Sequence, residues 1–212
     1  GVSTIYWRFG VPSVLDGEVD VDGVVDCVMG LSPVDDPSQY SDYSPMFRQE
    51  FDGSMDFYNL DTYTLILETL PGSTWYEVWI VNDSDNRTYD AYIKGGEAYP
   101  SQTKIVEDFG WRNQTLEALD VMVMTTSAGT LVDPKGLDAL LVDDIYMAAG
   151  EDLSSPVSAW AAIDTFDDYA DQAALDAVWS YLEDDTEGEG GGGLLVEDPY
   201  EAGNKVLEIN HG

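Results

Sequence analysis

The chain has 212 residues, of which 42 are Asp or Glu and only eight are Lys or Arg, giving a formal net charge of −34. Hydrophobic residues at 44% and aromatics at 12% exclude a disordered acidic polymer and leave enough apolar material for one sizeable core. Nucleic acid is excluded as a partner because no basic patch exists to meet phosphates, and no apolar run approaches the roughly 18 residues of a membrane helix.

Period-2 alternation of aromatic and β-branched residues is the dominant local signal. Thr4 to Phe9 opens as a strand, and Val19 to Met29 alternates Val with Asp or Gly before becoming continuously apolar. Tyr63 to Glu68 is a further strand, closed by the turn pair Pro71-Gly72. Trp75 to Val81 and Thr88 to Ile93 flank a polar loop, Asn82 to Arg87, and read together as a hairpin. Leu119 to Thr125 and Leu140 to Met147 are short, apolar and bounded by Gly or Pro. One helix is expected over residues 171–182, where Ala174, Leu175, Val178 and Leu182 repeat with a period near 3.6. Glu183 to Gly193 reads as a solvated loop, and Val206 to Ile209 as the last strand. Many short strands, one brief helix and no βαβ alternation predict an all-β fold, an antiparallel two-sheet jelly-roll sandwich. Residues 1–212 are expected to form a single domain, with 1–157 as its main body and 158–212 as a completing segment.

The carboxylates are spread along the whole chain and are not gathered in a tail. Such a charge repels itself in dilute buffer, whereas at molar salt the Debye length falls to roughly 3 Å and most of the penalty disappears. The composition therefore points to a salt-saturated environment. Cys27 is the only cysteine, so no internal disulfide exists, and its apolar neighbours suggest an inert buried thiol. Three acceptor tripeptides for N-linked sugar, beginning at Asn82, Asn86 and Asn113, favour an exported protein.

The run Trp75-Tyr76-Glu77-Val78-Trp79-Ile80, its polar loop and Thr88-Tyr89-Asp90-Ala91-Tyr92-Ile93 resemble laminin-G-like domains of the concanavalin-A-like jelly-roll class. The late signature of that class, apolar-Asp-Asp-apolar, is matched by Val142-Asp143-Asp144-Ile145. Its opening motifs are matched by Asp164-Thr165-Phe166-Asp167, Trp179 and Gly203-Asn204-Lys205-Val206-Leu207. Here the opening motifs follow the closing ones. This order implies either a circular permutant or segments exchanged between neighbouring chains, with the strand at 206–209 leading directly into Thr4 to Phe9 and the two termini close together. Galactose-binding-type jelly rolls share similar features and remain an alternative.

Both resembled classes imply a calcium ion between the opening motif and the closing-strand Asp, which makes Asp143, Asp144, Asp164 and Asp167 the candidate ligands. Tyr58, Trp75 and Tyr92 are the candidate glycan-stacking aromatics. Carboxylates are too abundant for any pair to mark a catalytic dyad. The Glu-x-Asp-x-x-Glu spacing of the related glycosidases does not occur, Glu18 to Asp22 coming nearest. The only histidine, His211, lies beside the C-terminal residue, which argues against triad chemistry. The expectation is a non-enzymatic, extracellular module on a virion or cell surface. Its partners would be other copies, neighbouring structural chains, or a host glycan or S-layer glycoprotein. Alternatives are an adhesion module of a halophilic cell and a salt-adapted glycosidase with a degenerate motif.

Overall fold

In strand β1, Val2–Val11, the side chains of Ile5, Trp7 and Phe9 turn to one face and those of Tyr6 and Arg8 to the other, as period-2 alternation requires. The computed structural model describes residues 1–11, 25–33, 40–49, 54–67, 70–71, 74–117, 119, 121–128, 140–156, 160–179 and 192–210. The remaining strands are β2 (Val25–Ser32), β3 (Met46–Gln49), β4 (Met55–Asn59), β5 (Thr62–Leu67), β6 (Thr74–Asp83), β7 (Thr88–Gly95) and β8 (Tyr99–Gly110). They continue with β9 (Val121–Ala128), β10 (Leu140–Ala149), β11 (Ala161–Asp164), β12 (Gly192–Glu197) and β13 (Lys205–Asn210). A helix of five residues, α1 (Gln172–Asp176), precedes β12.

The strands form two antiparallel sheets. The larger runs β12-β13-β10-β1-β6-β7-β8, with β11 also pairing β10, and the smaller runs β5-β4-β3-β2-β9. The core between them is aromatic: Trp7 of the large sheet stacks on Phe47 of the small one at 4.8 Å, and Phe47 packs on Phe57. Full burial of side chains of this size contributes about 1.5–3 kcal/mol each. The architecture is the expected jelly-roll sandwich. Among the described residues no helix is long and apolar enough to cross a membrane.

Several local expectations change. Residues 19–24 of the expected Val19 to Met29 strand lie outside the described residues, as do the side chain of Cys27, Glu18 to Asp22, most of the 183–193 loop, and His211. The helix is shorter than the expected 171–182. Asp171 caps it by accepting from the Ala174 N–H, and Leu175 is buried, but Val178 is exposed. The predicted apolar stripe therefore has no surface to cover beyond one turn, and residues 180–182 lie outside the described residues. Strand β8 has no period-2 signature because three register shifts against β7 rotate its faces.

Within the chain, the expected continuity from the last strand into the first is not found. Strands β13 and β1 flank β10, and both are antiparallel to it, so they run in the same direction. Ile209 lies opposite Leu140, at the end of β10 where Gly10 also pairs, whereas Ser3 pairs Ala149 at the other end. The two ends are thus separated by the length of β1, ten residues or roughly 30 Å. Parallel strands need a crossover connection, and a direct lead cannot supply one.

Candidate functional site

The outer face of the large sheet carries a row of side chains across five neighbouring strands. Tyr146, Tyr6, Trp79, Tyr92 and Lys104 are successive register partners on β10, β1, β6, β7 and β8. Tyr6 meets Trp79 edge-on at 5.2 Å, and the Lys104 ammonium lies 5.4 Å from the Tyr92 ring. This row is not open. Leu153, Ser154 and Trp160 lie over it, with the Trp79 indole N–H donating to the Ser154 carbonyl and Trp160 joining the cluster. Tyr6, Trp79, Tyr92 and Trp160 are consequently buried, and the row is a second small core on the far side of the sheet.

Two residues further along β1 the row becomes ionic. Arg8 pairs with Glu77, and Glu77 with Lys94, in the strand register. The Lys94 ammonium is 2.6 Å from Glu77 Oε1, and the Tyr6 hydroxyl donates to Glu77 Oε2 at 3.3 Å. Burial first, then the Glu77 charge, pushes the Tyr6 phenol well above its ordinary range.

Arg8 is the centre of the site. Its guanidinium reaches Asp144 at 3.2 Å, Glu201 at 3.3 Å and Asp143 at 3.7 Å, and lies 4.7 Å over the Trp75 ring. Tyr200 packs edge-on against the far side of this cluster, 6.2 Å from Trp75. The apolar-Asp-Asp-apolar signature acquires a backbone cause here. A register shift between Tyr6 and Arg8 puts a bulge in β10, and Asp144 takes a left-handed φ of 56°, which Asp tolerates better than most residues. The bulge falls where the edge of β10 passes from β13, paired at Leu140 to Val142, to β11, paired from Ile145.

Asp143 is 1% exposed, and its carboxylate accepts from the Asp144 N–H at 2.8 Å and the Asn204 amide at 2.9 Å. Burial pushes its pKa up to about 7, the Asn204 bond and Arg8 opposing and Asp144 reinforcing the shift. Burial alone would weaken the Arg8 charge, but the hydrogen bond Arg8 donates to Asp144 and the Glu201 charge more than restore it.

The four expected calcium ligands divide into two settings. Asp143 and Asp144 face Arg8, whose guanidinium supplies positive charge where the carboxylates gather. Asp164 accepts from the Phe166 N–H, the Tyr169 hydroxyl and the Trp179 indole N–H, so protein donors occupy its oxygens. Asp167 accepts from the Lys205 N–H at the start of β13. Among the described residues no group of three or more His, Cys, Asp or Glu side chains is arranged to hold a metal ion. As arranged, this donor set does not fit calcium, because N–H and O–H groups take the lone pairs a hard cation would need.

The expected glycan aromatics do not share a platform. Tyr58 belongs to the small sheet's outer face, edge-on to Tyr63 and under the Arg112 guanidinium at 4.5 Å. Tyr92 is buried under Lys104, and Trp75 alone is half-exposed. The sequence reading passed over Arg8, Tyr200, Glu201 and Asn204 as site residues. A signal for Arg8 was present: it is one of eight cations in a chain of charge −34, at an outward position of an alternating strand.

No protein-family model matches the chain, and no curated protein matches it in sequence. Among solved structures, the catalytic domain of the glycoside hydrolase family 131 protein from Coprinopsis cinerea aligns with a TM-score of 0.47 and 11% identity. That alignment covers 75% of this chain, which spans 58% of that domain's length. Scytalido-glutamic peptidase, solved with a peptide-based transition-state analogue, aligns with a TM-score of 0.41 and 10% identity over 100% of this chain and 93% of the peptidase.

Proposed function

We propose that this chain is a non-catalytic surface module of a halophilic virus particle, a fibre, turret or decoration protein used for assembly and host attachment. The use of its cations carries the reading. All seven Lys and Arg residues among the described residues are tied into internal contacts: Arg8, Arg48, Arg87, Lys94, Lys104, Arg112 and Lys205. Few remain to neutralise the other carboxylates, so solution cations must do so, and that requires concentrated salt. On this reading the glycan contact is the rim of Trp75 and Tyr200 beside Arg8 and Glu201, where half-buried rings meet groups able to hydrogen-bond sugar hydroxyls. The partners are further copies or neighbouring structural chains, and a host glycan or S-layer glycoprotein.

Melting followed by circular dichroism from 0.1 to 3 M KCl tests the salt reading, with a melting temperature that climbs throughout as the expected result. A flat or falling curve overturns it. Binding to host-surface glycans in 3 M KCl should drop at least about tenfold in Trp75→Ala, the loss of roughly one ring contact. Hydrolysis of those glycans would instead make the module an enzyme.

A further inference from the structure

The three tripeptides for N-linked sugar gather at one end of the sandwich, and the structure separates them into two kinds. Asn82 on β6 is 2% exposed. Its Oδ1 accepts from the buried Trp111 indole N–H at 2.9 Å, and its Nδ2 donates to the Ser84 hydroxyl at 3.3 Å. A sugar on this nitrogen has no path to solvent while Trp111 stays in place. Asn86 stands exposed at the tip of the β6–β7 hairpin, where its Nδ2 donates to Asp83 at 2.8 Å. Asn113 lies in the loop after β8. Its Oδ1 accepts from both the Thr115 N–H, at 3.0 Å, and the Thr115 hydroxyl, at 2.6 Å, and its Nδ2 donates outward to the Ser41 carbonyl. The two loops are tied into one rim. Arg87 donates to the Leu116 carbonyl at 3.0 Å, and the Trp111 N–H to the Arg87 carbonyl at 2.9 Å.

We propose that Asn86 and Asn113 are N-glycosylation sites and that Asn82, the clamp beneath them, is not; the occurrence of the modification rests on the outside location proposed above. The co-reactant is a lipid-phosphate-linked oligosaccharide presented by an oligosaccharyltransferase. The Asn Nδ2 bonds to the anomeric carbon, the bond from that carbon to the phosphate oxygen breaks, and the lipid phosphate leaves with the electron pair. The proton lost from Nδ2 passes to a base of the transferase. Each product amide keeps one N–H and its Oδ1, so the Asp83 bond and both Thr115 bonds survive modification. Asn82 pairs Ser3 and Trp75 pairs Gly10, so the sugars would cover one end of the large sheet, about seven residues or roughly 23 Å from the Trp75 rim. The contact end stays bare.

The test is transfer onto the folded chain by a purified oligosaccharyltransferase and lipid-linked oligosaccharide, read by intact mass and peptide mapping. Synthetic peptides spanning each tripeptide serve as acceptor controls. Two added glycans are expected. Asn86→Gln and Asn113→Gln should each remove one, and Ser84→Ala, which destroys the Asn82 tripeptide while keeping Asn82, should change nothing. A glycan on Asn82 of the folded protein overturns the assignment. So does an unmodified folded chain when the Asn86 and Asn113 peptides are accepted. The location fails separately: transfer at both sites in vitro, with protein from its natural source unmodified, upholds the acceptor geometry and overturns the outside placement.

Discussion

Each outer face of the sandwich has a guanidinium lying on an aromatic ring and paired with a buried aspartate, but the two are assembled differently. On the small sheet, Arg48 lies 4.1 Å from the Tyr63 ring and pairs with Asp56 at 2.8 Å, eight residues away on the adjacent strand of a hairpin. On the large sheet, Arg8 meets Asp144 across 136 residues and Glu201 across 193, beside a bulge in β10. The first contact is completed when β3 pairs β4. The second needs β1 paired with β10, and its Glu201 half exists only after β13 and the residues before it dock on β10. Arg8 thus joins the late segment to the body of the fold, while Arg48 joins two neighbouring strands.

The comparison predicts unequal costs. Arg8→Met should be the most damaging, at about 3 kcal/mol, because it strands the buried Asp143 among like charges. Amides of β13 should lose hydrogen-exchange protection before those of β4. Equal loosening of both sheets would break the idea that Arg8 acts on the docked segment.

Asp143→Asn sharpens the comparison by its sign. The folded pKa of Asp143 is raised to about 7, so between pH 4 and 7 the folded state binds more protons than the unfolded one. Its contribution to stability is therefore highest at the acid end and falls as pH rises through 7. Asp143→Asn should flatten that slope and gain about 1–3 kcal/mol over the parent at pH 8, measured by denaturant titration across the range. An unchanged slope would place the proton elsewhere.

On the opposite face, the paired change Arg48→Met with Asp56→Leu should stay within about 1 kcal/mol of the parent, since both members of a local pair leave together. A loss as large as that of Arg8→Met would erase the distinction between the faces. Glu201→Gln should matter least, below about 1 kcal/mol, because Glu201 is more than half exposed and screened by salt. Its expected trace is a small rise in β13 amide exchange.

Strands β1, β6 and β7 were legible because each alternates without interruption against regular neighbours. Strand β4 was not, since its side chains are buried on both faces: Phe57 enters the core, while Asp56 is sheltered beside Arg48. The Asp143-Asp144 pair was visible as a motif, but its ion pair with Arg8 was not. A motif shows the carboxylates, and the cation that faces them arrives from a strand more than 130 residues earlier.

The sequence by itself determined that this chain folds, that it does so in strands, that it carries a net charge of −34, and that Asn82, Asn86 and Asn113 head acceptor tripeptides. Those properties reside in composition and in neighbours a few residues apart, where periodicity and local chemistry act directly. Only the tertiary structure decided that Asn82 is a buried clamp, that Trp79 and Tyr92 share a buried cluster with Trp160, and that Arg8 faces Asp143 and Asp144. It also decided that β13 runs alongside β1 in the same direction, with its end away from Gly1. Each of these depends on which distant strands pair and in what register, a choice made by burial of the whole sheet and not by any one segment.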